Sequence, residues 1–491
     1  MRVYDAEVNE TYIVEAGDYD FAVGRNAHDA LNNILASDGY DTDDGMTANG
    51  NALLVGTIVQ EETDTETYSV GENGERITNR LQDADNRTYD ADFEYLTRSD
   101  WSGTFPETYG GEDRVFAGTA EMIAALEVPD PESSFEDSEM PVTGANNGLT
   151  LASMIGLPYD HESWDMLLDQ LTFNDMSSLI AANFGNAGVT AVQKPPMLDT
   201  DGPAGITSSL GVGTRGYGYP VEVLVASTWD KDLAYRQGEL IGEDALATLA
   251  NGWYAPGVNI HRSPFSGRNF EYYSEDAFLS GEFAGNVIAG ANTRGVYSYM
   301  KHFALNDQEV NRVLAASFAT EQTARQIYFA PFETAVRNYG ATAMMLAMNR
   351  IGLTWVGHNK DIVDGIVRGE WGFNGIINTD TMGLFGTDIN DTAIAAGLDC
   401  FLSVETVNEA DFSDPDMMME LREAAHHILY VTANSNGMNG FTANTRIVDI
   451  IPPWTVGVII LSIVVIGGAL VGFVFNILRT IRNMKNKEVE A

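Results

Sequence analysis

Three observations predict an α/β fold built on a parallel sheet. Over residues 113–435, short apolar runs at 189–192, 296–300, 343–347 and 375–377 alternate with helical patterns at 233–249, 320–338 and 417–433. Alternation of this kind implies parallel strands joined by helical crossovers. Polar clusters follow the apolar runs directly, on the side where sites assemble in parallel α/β folds. Finally, 44% of the 491 residues are apolar, enough for a large core in a chain of two or three domains. On the pattern alone, a (β/α)8 barrel and a doubly wound sheet both satisfy these observations.

Before this region, residues 1–35 hold two strand-like runs, Tyr12-Ile13-Val14 and Tyr19-Asp20-Phe21-Ala22-Val23, split by Gly17 and Asp18. Two strands make no stable domain, so they read as the last hairpin of a β-sandwich, and the chain as the C-terminal part of a longer protein with Met1 internal. Residues 36–112 are polar and read as a linker or arm. Within them Asp38, Asp41, Asp43 and Asp44 end in Gly45 but lack the alternating ligands of a calcium loop, and a solvated acidic loop is expected. The glycine-rich stretch 211–218 lacks the order of a dinucleotide site and reads as a loop. The single cysteine, Cys400, can close no intramolecular disulfide and complete no Cys-rich zinc cluster. No metal and no cofactor are expected.

Charge excludes some partners and suggests another. Against 27 Lys and Arg stand 71 Asp and Glu, a net charge of −44, and this field repels nucleic acid. No charged residue occurs over residues 451–478. The segment 454–475 alone, about 22 residues, would span roughly 33 Å as a helix, close to a hydrocarbon core. A transmembrane helix is therefore expected over 452–478. Arg479, Arg482, Lys485 and Lys487 follow it, so the tail 479–491 should be cytoplasmic and the acidic body extracellular, anchored in the cell membrane by a single C-terminal pass.

Four polar clusters remain. They are Asp199-Thr200-Asp201-Gly202-Pro203-Ala204-Gly205; Asn259-Ile260-His261-Arg262 with Gly267-Arg268-Asn269-Phe270-Glu271-Tyr272-Tyr273-Ser274-Glu275-Asp276; Lys301-His302-Phe303-Ala304 running to Asn311-Arg312; and Ile376-Ile377-Asn378-Thr379-Asp380. Each directly follows an apolar strand candidate, the position where sites assemble in a parallel α/β fold. Asp380 follows a strand, where a reacting oxygen can be aimed rigidly.

In this order and spacing the clusters resemble glycoside hydrolase family 3, the β-glucosidase and β-xylosidase type, over residues 113–435. The resemblance implies a (β/α)8 TIM-type barrel and retaining glycoside hydrolysis through a glycosyl-enzyme ester, with Asp380 as nucleophile. It implies that Asp201 accepts from two sugar hydroxyls while Arg268, Lys301, His302 and Arg312 donate to others. Structural alternatives exist for several of these. Arg268 and Arg312 could be ion-paired to Glu271 or Glu309, His302 could be a hydrogen-bonded core histidine, and Asp380 could cap a helix. A Lys-His metal pair is disfavoured, because neighbours on a strand point to opposite faces.

The resemblance also implies a permuted domain order, with a fibronectin-like β-sandwich before the barrel. The α/β sandwich domain that usually supplies the family's acid/base Glu is absent, so the general acid/base is expected outside this chain. Three departures bear on activity and substrate choice: Thr207 stands where an Arg is common, Met348 where an aromatic precedes the Asn349-Arg350 pair, and Thr381 where an aromatic often follows the nucleophile. The implied function is an exo-acting retaining β-glycosidase releasing terminal β-linked sugars, β-glucosides foremost, from oligosaccharides or glycosides, as an incomplete chain. The alternative is a catalytically silent cell-surface carbohydrate-binding barrel. Oligomeric state is left open.

Overall fold

The computed structural model describes residues 2–93, 95, 118–126, 128–130, 132–182, 184–208, 213–381, 390–402, 407–448 and 452–489. Residues 96–112 of the expected arm, 113–117 at the expected start of the barrel, 211–212 of the glycine-rich loop and the last two of the tail lie outside the described residues. The chain divides into two units, Met1–Thr445 and Arg446–Ala491.

In the first unit, strands β1 (Val3–Asp5) and β2 (Thr11–Ile13) pair antiparallel, as do β3 (Gly17–Ala22) and β4 (Val55–Gln60). β4 thus arises inside the segment read as an arm, and its partner is a run read as the end of a sandwich. Tyr4 and Tyr12, edge to face at 5.0 Å, bury a small core with Ile77. Such aromatic pairs add to simple area burial.

The remaining strands follow in chain order as β5 (Asp199–Asp201), β6 (Gly252–Tyr254), β7 (Tyr297–Phe303), β8 (Ala316–Ser317), β9 (Ala343–Leu346), β10 (Arg350–Ile351), β11 (Thr354–Trp355) and β12 (Ile376–Asn378). Five of them form one parallel sheet in the order β12-β9-β7-β6-β5. Beyond its ends, Asn378 bridges Cys400, Phe401 bridges Ala181, and the Asp199 amide donates to the Phe184 carbonyl at 2.9 Å. β8, β10 and β11 make a separate small sheet. All seven residues of β7 are buried, as expected of a strand covered on both faces.

Helices cover the parallel sheet, and their ends are capped by sequence. Asp230 accepts from the amides of Asp232 and Leu233 at the head of helix Lys231–Thr248, Asp276 accepts from Leu279 at the head of Ala277–Asn292, and Asp414 with Pro415 opens Pro415–Ala433. Such caps satisfy amides that have no partner within the helix. The helices at 231–248 and 277–292 pack closely because Gly238 and Gly290 face each other's backbone; a Cβ on Gly290 would lie 3.0 Å from Gly238 Cα.

One expected strand is a turn. At 189–192 the chain makes a helical turn, Thr190–Val192, and Gln193 takes φ 55°, so that Val189 pairs back onto Lys194. The strand of this unit is β5 instead. Apolar content at 189–192 reflects burial of Val189 and Val192 in the core, not strand geometry.

The second unit contains a helix, Pro453–Val489. Its 32-residue stretch Pro453–Met484 contains 18 consecutive residues of mean hydropathy 2.9 and is long and apolar enough to cross a membrane.

Candidate active site

Parallel strands bring their carboxyl ends to one edge of the sheet, and the polar clusters ride on those ends. Asp201 is the last residue of β5, Lys301 and His302 lie near the end of β7, and Asp380 follows β12 by two residues. Arg268 sits in the connection after β6, at the head of the turn Asn269–Glu271.

Glu271, 3% exposed, is the hub of the arrangement. Its two oxygens accept from Arg268 Nε at 2.7 Å and Nη2 at 2.6 Å, and Lys301 Nζ stands 3.5 Å from Oε1. Lys301 also donates to Asp201 Oδ1 at 2.9 Å. Burial disfavours charge on Asp201 and Glu271, yet Lys301 and Arg268 outweigh it and hold both carboxyls below their ordinary range. The same pairings hold Lys301 above its ordinary value against the effect of burial. These are charge-assisted contacts in a water-poor setting, where geometry counts most. The Asp201 side chain keeps 41% exposure and remains reachable from solvent.

Arg312 joins through Glu309, whose carboxylate is 3.3 Å from Arg312 Nη1 and 3.9 Å from Arg268 Nη1. Both ion pairs weighed as alternatives for the two arginines are therefore present; Arg268 also contacts His302, while Arg312 is linked to Arg268 through Glu309. Lys301 and His302 do not diverge as neighbours on a regular strand would. The register of β7 against β9 shifts between Met300 and Phe303, and both side chains reach the Arg268–Glu271 pair.

His302 is fixed by its backbone and its ring. Its amide donates to Asn259 Oδ1 at 2.7 Å while Asn259 Nδ2 donates to its carbonyl at 2.9 Å. On the ring, Nε2 is 3.1 Å from Arg268 Nη2 and Nδ1 is 3.4 Å from the Tyr272 hydroxyl. A guanidinium can only donate, so Nε2 is the acceptor and the proton belongs on Nδ1. Burial, followed by Arg268, Lys301 and Arg312, pushes the imidazole well below its usual range, and the ring is neutral. Its 3.8 Å approach to Asp380 Oδ2 is consequently a contact, not an ion pair.

Asp380, its side chain 13% exposed, accepts from the Thr381 amide at 2.7 Å through Oδ1. The nearby cations pair with other groups: Lys301 with Asp201 and Glu271, Arg268 with Glu271 and His302, Arg312 with Glu309. Met348 is buried and Asn349 donates to the Ala304 carbonyl at 3.1 Å and Ser317 Oγ at 3.3 Å. Thr207 closes the loop after β5, its amide donating to the Asp201 carbonyl at 2.8 Å. Among the described residues there is no cluster of three or more His, Cys, Asp or Glu able to hold a metal.

Motif spacing marks Glu271 only as an ion-pair partner and assigns Asn259 and Tyr272 no role. The spacing of Arg268 and Glu271, three apart in a helical turn, was the available signal for the hub. The Lys301 arm of that hub has no local signal at all.

Residues 174–426 match the family model described as the glycosyl hydrolase family 3 N terminal domain, a domain of TIM-barrel type. A probable beta-glucosidase I of Aspergillus clavatus is 37% identical over 235 residues, 47% of this chain and 28% of that protein. A beta-glucosidase of Rhizobium radiobacter is 37% identical over 239 residues, 48% of this chain and 29% of that protein. The chain thus spans less than a third of the length of either relative. Among solved structures, beta-glucosidase 3B from Thermotoga neapolitana in complex with glucose aligns with TM-score 0.50 at 28% identity, over 58% of this chain and 44% of that one. A beta-glucosidase from Paenibacillus barengoltzii aligns with TM-score 0.60 over 91% of this chain and 48% of that one; at 22% identity, this is a likeness of fold.

Proposed function

The chain belongs to glycosyl hydrolase family 3, and from that premise we propose that it is the barrel portion of an exo-acting retaining β-glycosidase for terminal β-linked sugars, β-glucosides foremost. The observation that carries this is the gathering of Asp201, Lys301, His302 and Asp380 at the carboxyl ends of alternate strands of one parallel sheet, with Arg268 among them. Closure of the sheet into a barrel belongs to the same reading. It is supported by the bridges from Asn378 to Cys400 and from Phe401 to Ala181, and by the Asp199 to Phe184 hydrogen bond, which continue the pairing past both ends of the sheet.

Asp201 would accept two hydroxyls of the terminal sugar, and Lys301, Arg268, Arg312 and His302 would engage the rest. Asp380 Oδ2, the oxygen that does not accept from the Thr381 amide, would attack the anomeric carbon. The new C–O bond forms as the aglycone oxygen leaves, and water later cleaves the ester with net retention. The acid that protonates the leaving oxygen is assigned to a polypeptide beyond this chain. In the same reading, residues 1–35 close a β-sandwich, supported by the antiparallel strand pairs, and the helix at 453–484 anchors the extracellular body in the cell membrane with the basic tail inside.

The test uses the full chain and a 2,4-dinitrophenyl β-glucoside, whose leaving group needs no proton. Sugar should be found esterified to Asp380, on the peptide spanning 378–382. Asp380→Ala should abolish the label and keep weak glucose binding through Asp201 and Arg268. Label on another carboxylate would remove Asp380 from its role. A second reading, a silent carbohydrate-binding barrel, is favoured by the way the cations pair with Asp201, Glu271 and Glu309 instead of Asp380. Glucose binding without any ester would select it.

A further inference from the structure

The connection between β7 and the helix that begins at Glu321 carries Arg312 yet contains only the two-residue strand β8. A loop this poor in internal pairing needs outside support to hold a side chain still. The support comes from far upstream. Glu321 accepts from the amides of Arg80 at 3.0 Å and Leu81 at 2.6 Å. Arg325, 1% exposed, donates to Glu321 at 2.6 Å and to the Thr78 carbonyl at 3.2 Å. The Ala319 amide donates to the Ala84 carbonyl at 2.9 Å, and the Tyr89 ring meets Phe318 edge to face at 6.1 Å.

From there the contacts run inward. Ser317 pairs with Ile351 and Ala316 with Arg350, the Arg350 amide donates to Ala315 at 2.8 Å, and the Leu314 amide donates to Met348 at 2.9 Å. These bonds fix the backbone directly after Arg312 and on both sides of Asn349. At the outer edge, Gly352 takes φ 62° against the same upstream segment: a Cβ there would collide with the Asp83 carbonyl oxygen and lie 3.1 Å from Ala84 Cα.

We propose that residues 78–89 are a positioning brace for the sugar-binding loop, holding Arg312 in register through β8 and β10 without touching the sugar. The inference rests on the reading that Arg312 and Arg268 engage the substrate. Positioning errors of about 1 Å remote from the chemistry can cost up to about a hundredfold, so the brace should be visible in binding.

Gly352→Ala in the full chain tests it, with Gly340→Ala as control. Gly340 has φ 68° and open space around its Cβ position, so both variants bear the same backbone strain and only the first pushes on the brace. The readouts are the Kd for 1-deoxynojirimycin by calorimetry and amide hydrogen exchange over residues 312–319. Gly352→Ala should weaken binding about tenfold and speed exchange in that segment, whereas Gly340→Ala should do neither. Tyr89→Ala, a gentler change on the brace itself, should move both readouts the same way by a smaller factor. Unchanged binding and exchange in Gly352→Ala and Tyr89→Ala would overturn the brace, as would equal effects from Gly340→Ala. If the unaltered chain binds no iminosugar, the site reading fails, and exchange over 312–319 alone decides the brace.

Discussion

Glu222 lies 3% exposed at the start of the short helix Glu222–Ala226, and neither carboxyl oxygen finds a well-formed hydrogen bond among the described residues. Burial, reinforced by Glu271 and opposed by Lys301, raises its pKa well above the ordinary value. An acid whose folded pKa is raised contributes its full stability below the unfolded pKa, near 4.3, and loses it as pH climbs toward the folded value. Gln in its place is neutral at every pH. Glu222→Gln should therefore match the parent in urea unfolding near pH 4 and exceed it increasingly above, by about 1.4 kcal/mol per pH unit until the buried carboxyl ionises. A constant difference between pH 5 and 8 would mean that Glu222 is already charged in the fold. At this scale the sequence made Asp201, Arg268, Lys301, His302, Arg312 and Asp380 legible through motif spacing, and the structure brings them into one neighbourhood. It did not make legible the buried charge network beneath them. Lys301 to Glu271 and Arg268 to His302 are contacts between residues about thirty positions apart, and nothing local encodes them.

Elements with a strong period were legible and their ends less so. The runs expected at 296–300, 343–347 and 375–377 coincide with β7, β9 and β12, and the pattern at 417–433 with the helix Pro415–Ala433. The pattern at 320–338 is broken into Glu321–Thr323, a wider helical turn at Ala324–Phe329, and Ala330–Tyr339. Arg325 lies in that widened turn and reaches Glu321, Glu370 and Thr78 at once, a demand invisible to hydrophobic periodicity. The turn at 190–192 misled for the opposite reason: Val189 and Val192 are buried with exposed Thr190 and Ala191 between them, and four residues are too few for a period to separate a helical turn from a strand. The C-terminal helix makes the clearest prediction among the elements. Truncation after Thr445 removes the apolar stretch Pro453–Met484, and the shortened chain should move from the detergent-requiring membrane fraction to the soluble fraction while keeping the melting profile of its remaining unit. Continued membrane partition would place the anchoring surface elsewhere.

The proposed function gives residues 1–491 a nucleophile, Asp380, and draws the acid from elsewhere, and that combination has a kinetic signature. General acid and base catalysis each typically contribute about 10² to 10⁴-fold, so the chain should be nearly inert on unactivated disaccharides while a dinitrophenyl glucoside still glycosylates Asp380. The ester should then persist, because water attacking it also lacks a base to take its proton. Azide is already anionic and needs none. Adding it should raise turnover of the dinitrophenyl substrate by about 10² or more, with β-glucosyl azide as product, since two successive inversions at the anomeric carbon restore the starting configuration. With cellobiose azide should do nothing, because there the first step limits. An α-configured azide would overturn the double displacement. Equal turnover of cellobiose and the dinitrophenyl substrate, insensitive to azide, would mean that an acid/base carboxyl is present within these 491 residues after all; the buried Asp307, whose burial pushes it up to about 7, would then be the first group to replace.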